Sequence, residues 1–468
     1  MSWATCAVPR TAGWCAAGLA LTVVCVAGLT QFACGKAAAG GGDAGMNPAG
    51  PPIIIGASIG ITGGLSGNTR ALKGAIAVAT QEINAAGGIL GRQVQFVIQD
   101  DKSDPTYVTT AMSNLLGSGV KAVLGPGASS EVSAVMQLLA GSQIVEVSAT
   151  ATSILLTQSQ TTQNPGWFFR TVPNDSYQGR AVVRFALQGP NPEGGVAGCR
   201  KMAIVYNSDA YGMPMDAIIE PGMTAGGGSI VASISVPATT AASYMTQAQK
   251  IVGLQPDCMA MVVFASTGAQ LVRDLKTQIA MDTSSHDWSK FFIVGTDGCF
   301  DPSFIVDGRQ DPNNPSSPSV VEGIYGTNAD TAPPTPEYSS LQSLYVTQVG
   351  YQADQTDMDP YTSNEYDAAI LVALAIQQAG GLNDPLKIRD AMFGVSRGVT
   401  SSPTVFGPSQ VAEALEAILQ GQDINYNGAS GNVDFTASGD VVADFIVWQV
   451  NGGQFVTHAR IPAAQLEN

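Results

Sequence analysis

Apolar and polar positions follow two different periods along the chain, starting at Ile53. Short apolar runs such as IIIGASIGI predict buried strands, and the stretches between them repeat apolar residues about every 3.6 positions, as in helices. The alternation of strand and helix predicts a parallel sheet with helices on both faces. In this first series the predicted strands cover 53–61, 92–100, 121–126 and 144–150, and the predicted helices cover 69–88, 104–119 and 129–142.

A second series of the same kind begins after the motif WFFRTVPND (167–175). Its predicted strands cover 201–209, 229–237, 259–266, 291–298 and 320–329, with helices near 213–224, 244–252 and 268–278, and later helices at 338–350, 363–378, 385–393 and 410–419. The chain ends in two apolar runs separated by Asn-Gly, which predicts a hairpin. We therefore predict an α/β protein of two doubly wound parallel-sheet lobes, while the segment 394–410 follows no pattern that we can interpret.

The first 33 residues differ from the rest of the chain. One charged residue, Arg10, precedes a long apolar run, which is typical of a signal peptide. Ala33 comes directly before Cys34, as in a lipoprotein signal, so we predict that Cys34 is lipidated and anchors the protein to a bacterial membrane. Ordinary cleavage nearby and an uncleaved membrane anchor are the alternatives. Residues 34–52 are rich in Gly and Ala and predict a flexible tether, which leaves the domain in the periplasm or at the cell surface.

Charge and cysteine content narrow the classes of function. The net charge of −16 argues against nucleic-acid binding, which needs a basic surface. Three cysteines follow the leader, and an exported protein can form disulfides. Cys199 and Cys258 each precede a predicted strand, so they can form a bridge if those strands are neighbours. The alternative is that these two and Cys299 are free, buried thiols.

A glycine turn followed by serines lies at the end of one predicted strand. The stretch AVLGPGASSEVSAVM (122–136) runs from apolar residues through Gly-Pro-Gly to Ser129 and Ser130, and then into a helical pattern. The exposed N–H groups and the dipole of a helix N-terminus favour an anion. We predict that this turn binds a carboxylate; the alternative is that Ser129 only caps the helix.

The sequence around these serines matches no enzymatic motif. A P-loop needs Gly-Lys-Ser/Thr, a dinucleotide fingerprint needs a third glycine, and a nucleophile elbow needs Gly-x-Ser-x-Gly. The two histidines, His286 and His458, lie in no motif. Ser118 and Lys121 have the spacing of Ser-Lys chemistry, but Lys121 leads into a strand. We predict that the protein is not an enzyme.

Other polar side chains follow predicted strands, at the sheet edge where α/β proteins bind ligands. Ser148, Thr150 and Thr152 alternate, which puts three hydroxyls on one face of an extended segment, although threonine is also common in ordinary strands. Tyr211 follows one strand of the second series and can reach a cleft. Asp297 follows another and can pair with an ammonium group, although Asp-Gly is also a common turn.

We predict no cofactor and no metal site. The acids of QDDKSDP (99–105) lack the spacing of an EF-hand loop, and Asp104-Pro105 is explained by the start of a helix. No other group of Cys, His and acidic residues has the spacing of metal ligands.

Several blocks of the sequence are characteristic in type and in order. They are GASIGITGGLSG, KGAIAVATQEINAAGGILGRQVQFVIQDDKSDP, VLGPGASSEVSAV, FRTVPNDSYQG, IVYNSDAYG, NEYDAAILVALAIQQAGG and GASGNVDFTASGD. Through them the chain resembles the leucine/branched-chain amino acid–binding family of type I periplasmic binding proteins, the solute receptors of ABC importers. The resemblance covers about residues 53–456, and its first third is the most specific.

The resemblance implies two lobes joined by a three-stranded hinge that close on a ligand. It places the chain crossings near Asn174, Asn328 and Ala443. The N-terminal lobe would then consist of 53–173 and 328–442, and the C-terminal lobe of 174–327 and 443–468.

The resemblance also implies a ligand site. The residues that match ligand-binding positions of the family are Ser129, Ser130, Thr150, Thr152, Tyr211, Phe264 and Asp297. The serine turn would hold the α-carboxylate of an amino acid, and Asp297 its α-ammonium group. The first loop, GGLSGNTR (63–70), lacks the aromatic wall of the family, Ser103 and Ala128 replace a cysteine pair found in some members, and Asp297 is shorter than the usual Glu.

The implied function is that of a monomeric, extracytoplasmic receptor that binds a small amino acid, of the branched-chain type, and delivers it to an ABC permease. Two alternatives stay open at this point. The same fold could report ligand occupancy to a signalling partner, or the ligand could be an amide, urea or an aromatic acid.

Overall fold

A computed structural model describes residues 50–163, 166–190, 198–349 and 358–467. Its strands are β1 (Ile53–Ile59), β2 (Val94–Asp100), β3 (Ala122–Leu124), β4 (Val145–Ser148), β5 (Phe168–Arg170), β6 (Lys201–Asn207), β7 (Ser229–Val236), β8 (Cys258–Val262), β9 (Phe292–Gly295), β10 (Tyr325–Ala329), β11 (Thr404–Phe406), β12 (Ile424–Tyr426), β13 (Phe445–Asn451) and β14 (Gln454–Ile461). Its α-helices are α1 (Thr69–Ala85), α2 (Tyr107–Gly117), α3 (Ser129–Gly141), α4 (Ile154–Gln163), α5 (Asp175–Gln188), α6 (Gly212–Ala225), α7 (Met245–Leu254), α8 (Ala265–Met281), α9 (Pro302–Gly308), α10 (Pro336–Val349), α11 (Thr362–Ala379), α12 (Pro385–Arg397) and α13 (Val411–Leu419).

The first sheet has five parallel strands in the order β2-β1-β3-β4-β5. Helices α2 and α3 pack on it, as does α11, which comes from much later in the chain. All positions of α11 from Thr362 to Gln377 are buried, because this helix lies between α1, α12 and the strands β3 and β4. Since all its faces are covered, α11 carries apolar residues around its whole circumference.

The second sheet has seven strands in the order β14-β13-β10-β9-β8-β6-β7. The strands from β6 to β10 pair in parallel, whereas β13 pairs antiparallel with both β10 and β14. The predicted terminal hairpin is therefore confirmed, with Gly452 and Gly453 in its two-residue turn, both at positive φ. Because the hairpin adds to the sheet edge, the second lobe is mixed and not wholly parallel. The fold class of two α/β lobes is confirmed.

The chain passes between the two sheets three times. It leaves the first sheet after β5, returns after β10 to form α10 to α13, and enters the second sheet again at β13. Two of these passages lie side by side, since Pro173 forms a parallel bridge with Val441. The predicted boundaries 173/174, 327/328 and 442/443 stay predictions.

The predicted leader 1–33, the lipidated Cys34 and residues 34–49 of the predicted tether lie outside the described residues. Within the described ranges, no helix is long and apolar enough to cross a membrane.

Six elements were not predicted from the sequence: helices α4, α5 and α9 and strands β5, β11 and β12. β11 lies in the segment 394–410 and pairs in parallel with β12 in a small separate sheet. The start of that segment also extends α12 to Arg397.

Candidate functional site

A cavity of about 380 Å³, counting all the space between its atoms, lies where the two lobes face each other. The predicted ligand-binding residues that line it are Ser129, Thr150 and Thr152 from the first lobe, and Tyr211, Phe264 and Asp297 from the second. Leu65, Asn68, Gly127, Ala128, Gly298, Asp301 and Tyr361 complete the lining. Only about 30 Å³ of this space is open to the centre of a water molecule, so the cavity between the lobes is narrow.

The serine turn forms one wall of this cavity. Strand β3 ends at Leu124, and α3 begins at Ser129 with Ala128 as its N-cap. The hypothesis that Ser129 caps the helix is wrong: its Oγ accepts a hydrogen bond from the Ser153 N–H instead (3.2 Å). The hydroxyl hydrogen of Ser129 is thus available to an acceptor in the cavity.

The helix start adds further donors. Within the described part of the chain, the N–H groups of Ser129 and Ser130 have no hydrogen-bond acceptor, as expected for the first residues of a helix. The Ala128 N–H is taken by Oε2 of Glu131, which reaches back from the first turn of the helix (3.0 Å). The turn is therefore able to bind an anion through N–H groups and one hydroxyl.

The three alternating hydroxyls have different hydrogen-bond partners. Strand β4 ends at Ser148, and the chain beyond it is irregular. Ser148 Oγ donates to the Pro126 carbonyl (2.7 Å) and Thr150 Oγ1 to the Gly127 carbonyl (2.9 Å). These two hydroxyls hold the glycine turn in place, and only that of Thr152 reaches across to the second lobe.

Asp297 and Tyr211 form the opposite wall. Asp297 lies in a short 3₁₀ turn after β9, and Tyr211 directly precedes α6. The Tyr211 hydroxyl donates to Asp297 Oδ1, while Oδ2 accepts from Thr152 Oγ1 of the first lobe (3.1 Å). The ring of Phe264 stacks on that of Tyr211, with centroids 5.4 Å apart. Asp297 thus connects both lobes through one carboxylate.

Carboxyl groups line the cavity and lie behind it, without a cation among the described lining residues. Burial raises the pKa of Asp297 above its usual value, although hydrogen bonds from Tyr211 and Thr152 oppose the shift. Behind it lies Asp175, which is fully buried and whose carboxylate oxygens have no hydrogen-bond partner among the described residues. Burial and the charge of Asp297 raise the pKa of Asp175 well above the usual range. Among the described residues that line the cavity there is no Lys, Arg or His. A ligand that brings a positive charge would relieve this imbalance.

The remaining predicted residues lie elsewhere. Ser130 lines a neighbouring opening between the lobes, together with Asp209 and Phe264. Cys199 and Cys258 lie at the starts of the adjacent strands β6 and β8 and are joined by a disulfide, with their sulfurs 2.07 Å apart. Cys299 is a free, buried thiol that donates to the Val263 carbonyl (3.2 Å). Within the described ranges no group of three or more His, Cys, Asp or Glu side chains could hold a metal ion.

Sequence reasoning missed four side chains of the lining. Leu65 and Asn68 come from the loop GGLSGNTR, which was considered only for its missing aromatic wall. Tyr361 supplies an aromatic ring from the start of α11, far away in sequence. Asp301 follows Asp297 by four residues in the same motif, and this repeated acid was the one signal that could have revealed it.

A known protein family matches most of the length of this chain. The family described as "Receptor family ligand binding region" matches residues 71–453. The chain belongs to this family. Since the match covers most of the chain, the family assignment includes both lobes.

Individual relatives and one solved structure show which members of the family this chain resembles. The substrate-binding protein BasB of a chemotactic signal transduction system from Halobacterium salinarum is 26% identical over 86% of this chain and 88% of its own length. The Leu/Ile/Val-binding protein BraC3 of Rhizobium johnstonii is 25% identical over 73% and 83%. A solved leucine-binding protein, LivK from Thermotoga maritima, has the same fold, with a TM-score of 0.69 at 20% identity over 88% of this chain and 99% of its own. The resemblance to the leucine/branched-chain amino acid–binding family is confirmed.

Proposed function

We propose that the protein is a non-enzymatic, extracytoplasmic receptor that binds an amino acid between its two lobes for an ABC importer. The observation that carries the proposal is the cavity between the lobes, in which an anion-binding helix start faces a buried carboxylate. An amino acid zwitterion has complementary charges at its two ends. The family membership and the names of the relatives support the same function.

In this proposal the α-carboxylate binds at the serine turn. Ser129 offers its hydroxyl hydrogen, and the N–H groups of Ser129 and Ser130 point out of the helix start. The Thr150 hydroxyl has donated its hydrogen to Gly127 and can only accept, so it suits the ammonium and not the carboxylate.

The α-ammonium group binds at Asp297. This carboxylate is 8% exposed and is oriented by the hydroxyl of Tyr211 from its own lobe, while Thr152 adds a hydrogen bond from the opposite lobe. An ammonium donor would pair the charge that burial leaves unfavourable. An aromatic acid without an amine would leave Asp297 unpaired, which argues against that alternative.

The test is calorimetric titration of the purified protein with a panel of amino acids. Asp297→Asn should weaken amino acid binding by more than tenfold, because it removes the charge that pairs with the ammonium. Asp287→Asn is the matched control, since Asp287 is a solvent-exposed acid of the same lobe. Equal amino acid affinities of the two variants would contradict the assignment of Asp297 to the ammonium group.

The proposal includes the predicted surroundings of the receptor: a monomer, anchored through a lipid on Cys34, with hinge crossings near Asn174, Asn328 and Ala443. Mass spectrometry of the membrane-extracted protein tests the lipid. The branched-chain preference is suggested by relatives such as BraC3, and the side-chain end of the cavity is considered in the next subsection.

A signalling role is the second candidate, and BasB is the observation that favours it. That relative belongs by name to a chemotactic system and matches this chain over most of both lengths. Deleting the gene separates the two functions: an importer mutant loses uptake of the labelled ligand, whereas a sensor mutant keeps uptake and loses the response to it.

A further inference from the structure

One part of the cavity carries polar groups that the proposed amino and carboxyl contacts do not use. Asp301 and Asn68 line the cavity but are only 2% and 5% exposed. Asp301 Oδ2 and Asn68 Oδ1 are buried and have no hydrogen-bond partner within the described chain. Buried acceptors without donors are rare in folded proteins and point to a missing partner.

The two acceptors belong to opposite lobes and lie where the first loop of one lobe contacts Asp301 of the other. Asn68 belongs to the short 3₁₀ turn Ser66–Asn68 of the first lobe. This turn lies directly against Asp301, since a Cβ built on Gly67 would be 1.8 Å from Asp301 Oδ1. A group bound beside Asp301 would therefore touch both lobes.

The Asp301 carboxylate is held in position by its other oxygen. Oδ1 accepts from the Ser303 N–H (2.7 Å) and from the Ser303 hydroxyl (2.5 Å), as the N-cap of α9. The cap fixes the side chain and leaves Oδ2 unused. Such a preoriented acceptor suits binding better than a mobile surface acid.

The nearby cations are already engaged. Arg170 is fully buried, pairs with Asp440 (2.5 Å) and donates to the carbonyls of Ala151 and Ser153. Arg70, next to the Asn68 turn, pairs with Asp359 (2.6 Å). The cavity lining thus holds two carboxylates, Asp297 and Asp301, and no cation among its described residues. A zwitterion with a neutral side chain balances only the first of them.

We propose that Asp301 and Asn68 form a second subsite that binds a protonated nitrogen on the ligand side chain, so that the preferred ligand is an amino acid with a cationic side chain. The inference rests on the proposed binding of the α-carboxylate at Ser129 and the α-ammonium at Asp297. A branched aliphatic side chain would cover Asp301 Oδ2 and Asn68 Oδ1 without pairing them, and unpaired buried acceptors disfavour binding.

The test compares ligands of equal length with and without the side-chain nitrogen. Calorimetry on the purified protein would use diaminobutyrate, ornithine, lysine and arginine against norvaline, norleucine, leucine and valine. At least one cationic ligand should bind at least tenfold more tightly than its neutral counterpart.

Asp301→Asn should remove at least tenfold of the affinity for that cationic ligand and leave neutral amino acids unchanged or tighter. Asn can also cap a helix, so this variant is expected to fold, and its melting temperature checks that. Asp307→Asn, on the same helix α9, is the matched control. Asp297→Asn, by contrast, should weaken both classes.

The outcomes separate this inference from the proposed function. If leucine or valine binds at least as tightly as every cationic ligand, and Asp301→Asn leaves the affinities for the cationic ligands unchanged, the second subsite is overturned and the amino acid receptor stands. If no amino acid of either class binds, both proposals fail. Selective loss of the cationic ligand in Asp301→Asn supports both.

Discussion

Buried carboxylates without full hydrogen bonding recur at the residue scale. Glu131 is fully buried behind the serine turn; its Oε2 accepts from the Ala128 N–H, and its Oε1 accepts from no donor among the described residues. Beside it lies Asp101, which accepts from the Ser58 hydroxyl (2.8 Å). Burial, together with the charge of Asp101, raises the pKa of Glu131 to about 9. The turn that is proposed to hold a carboxylate ligand thus rests on a protonated acid at neutral pH.

The stability of the protein should therefore fall as pH rises toward 9. The pKa of Glu131 is higher in the folded state than its usual 4.5, so between these values the folded state binds more protons than the unfolded state. The stabilisation from this proton on Glu131 is fully present below about pH 4.5 and is lost progressively up to about pH 9. Over this range the free energy of unfolding falls by at most about 1.4 kcal/mol per pH unit. Glu131→Gln keeps the shape of the side chain but cannot titrate. The free energy of unfolding of this variant, measured by chemical denaturation at pH 6 and pH 9, should therefore depend less on pH.

Glu416→Gln is the control for this experiment, since Glu416 is exposed on α13. It should keep the slope of the unmodified protein. A slope in Glu131→Gln equal to that of Glu416→Gln would show that Glu131 is ionised in the folded protein at neutral pH.

The disulfide is a feature of the element scale, because it joins two neighbouring strands at their starts. β6 and β8 pair in parallel with Met202 opposite Cys258, and Cys199, just before β6, lies with its Cα 5.7 Å from that of Cys258. The bridge spans 59 positions of the chain and is fully buried. It restricts the unfolded chain more than the folded one.

Cys199→Ser with Cys258→Ser should lower the free energy of unfolding by about 2–4 kcal/mol, because the unfolded chain regains the entropy of that loop. Denaturation with and without a reductant measures this. The unmodified protein should lose stability when reduced, and the double variant should not respond. Equal stability of oxidised and reduced protein would contradict a stabilising bridge.

The elements that could be predicted from the sequence are those whose own pattern decides them. β1 and α1 have clear periods, and most buried strands of both lobes follow from their apolar runs, whereas the three-residue strand β5 was missed. Helix α5 was missed, as its polar residues include Asp175 and Gln178, which are buried through contacts distant in sequence. β11 forms only by pairing with β12, which follows the intervening helix α13, so no local sequence pattern predicts it.

The residues of the candidate site also include some that could be predicted from local sequence and some that could not. Ser129 and Asp297 could be predicted because each follows a strand, where the topology places ligands. Asn68 and Tyr361 could not be predicted, since they reach the cavity only when the first loop and the start of α11 meet the second lobe.

At the scale of the whole molecule, the site exists only where the two lobes touch. The contacts that define it are the hydrogen bond from Thr152 to Asp297 and the close approach of Gly67 to Asp301. Both cross from one lobe to the other. Ligand binding and lobe closure are therefore expected to be coupled, since a hinge motion that separates the lobes also divides the site.

Gly67→Ala should prevent full closure, because its Cβ would lie 1.8 Å from Asp301 Oδ1. We expect ligand affinity to fall at least tenfold and small-angle scattering to show no ligand-induced decrease in the radius of gyration. Gly64→Ala is the matched control in the same loop, since a Cβ there meets nothing within 4 Å. If both variants close and bind like the unmodified protein, Asp301 can move aside from the loop and the approach at Gly67 does not limit closure. If only Gly67→Ala stays open, the first loop sets how closely the lobes meet, and thereby whether the two halves of the site can hold one ligand.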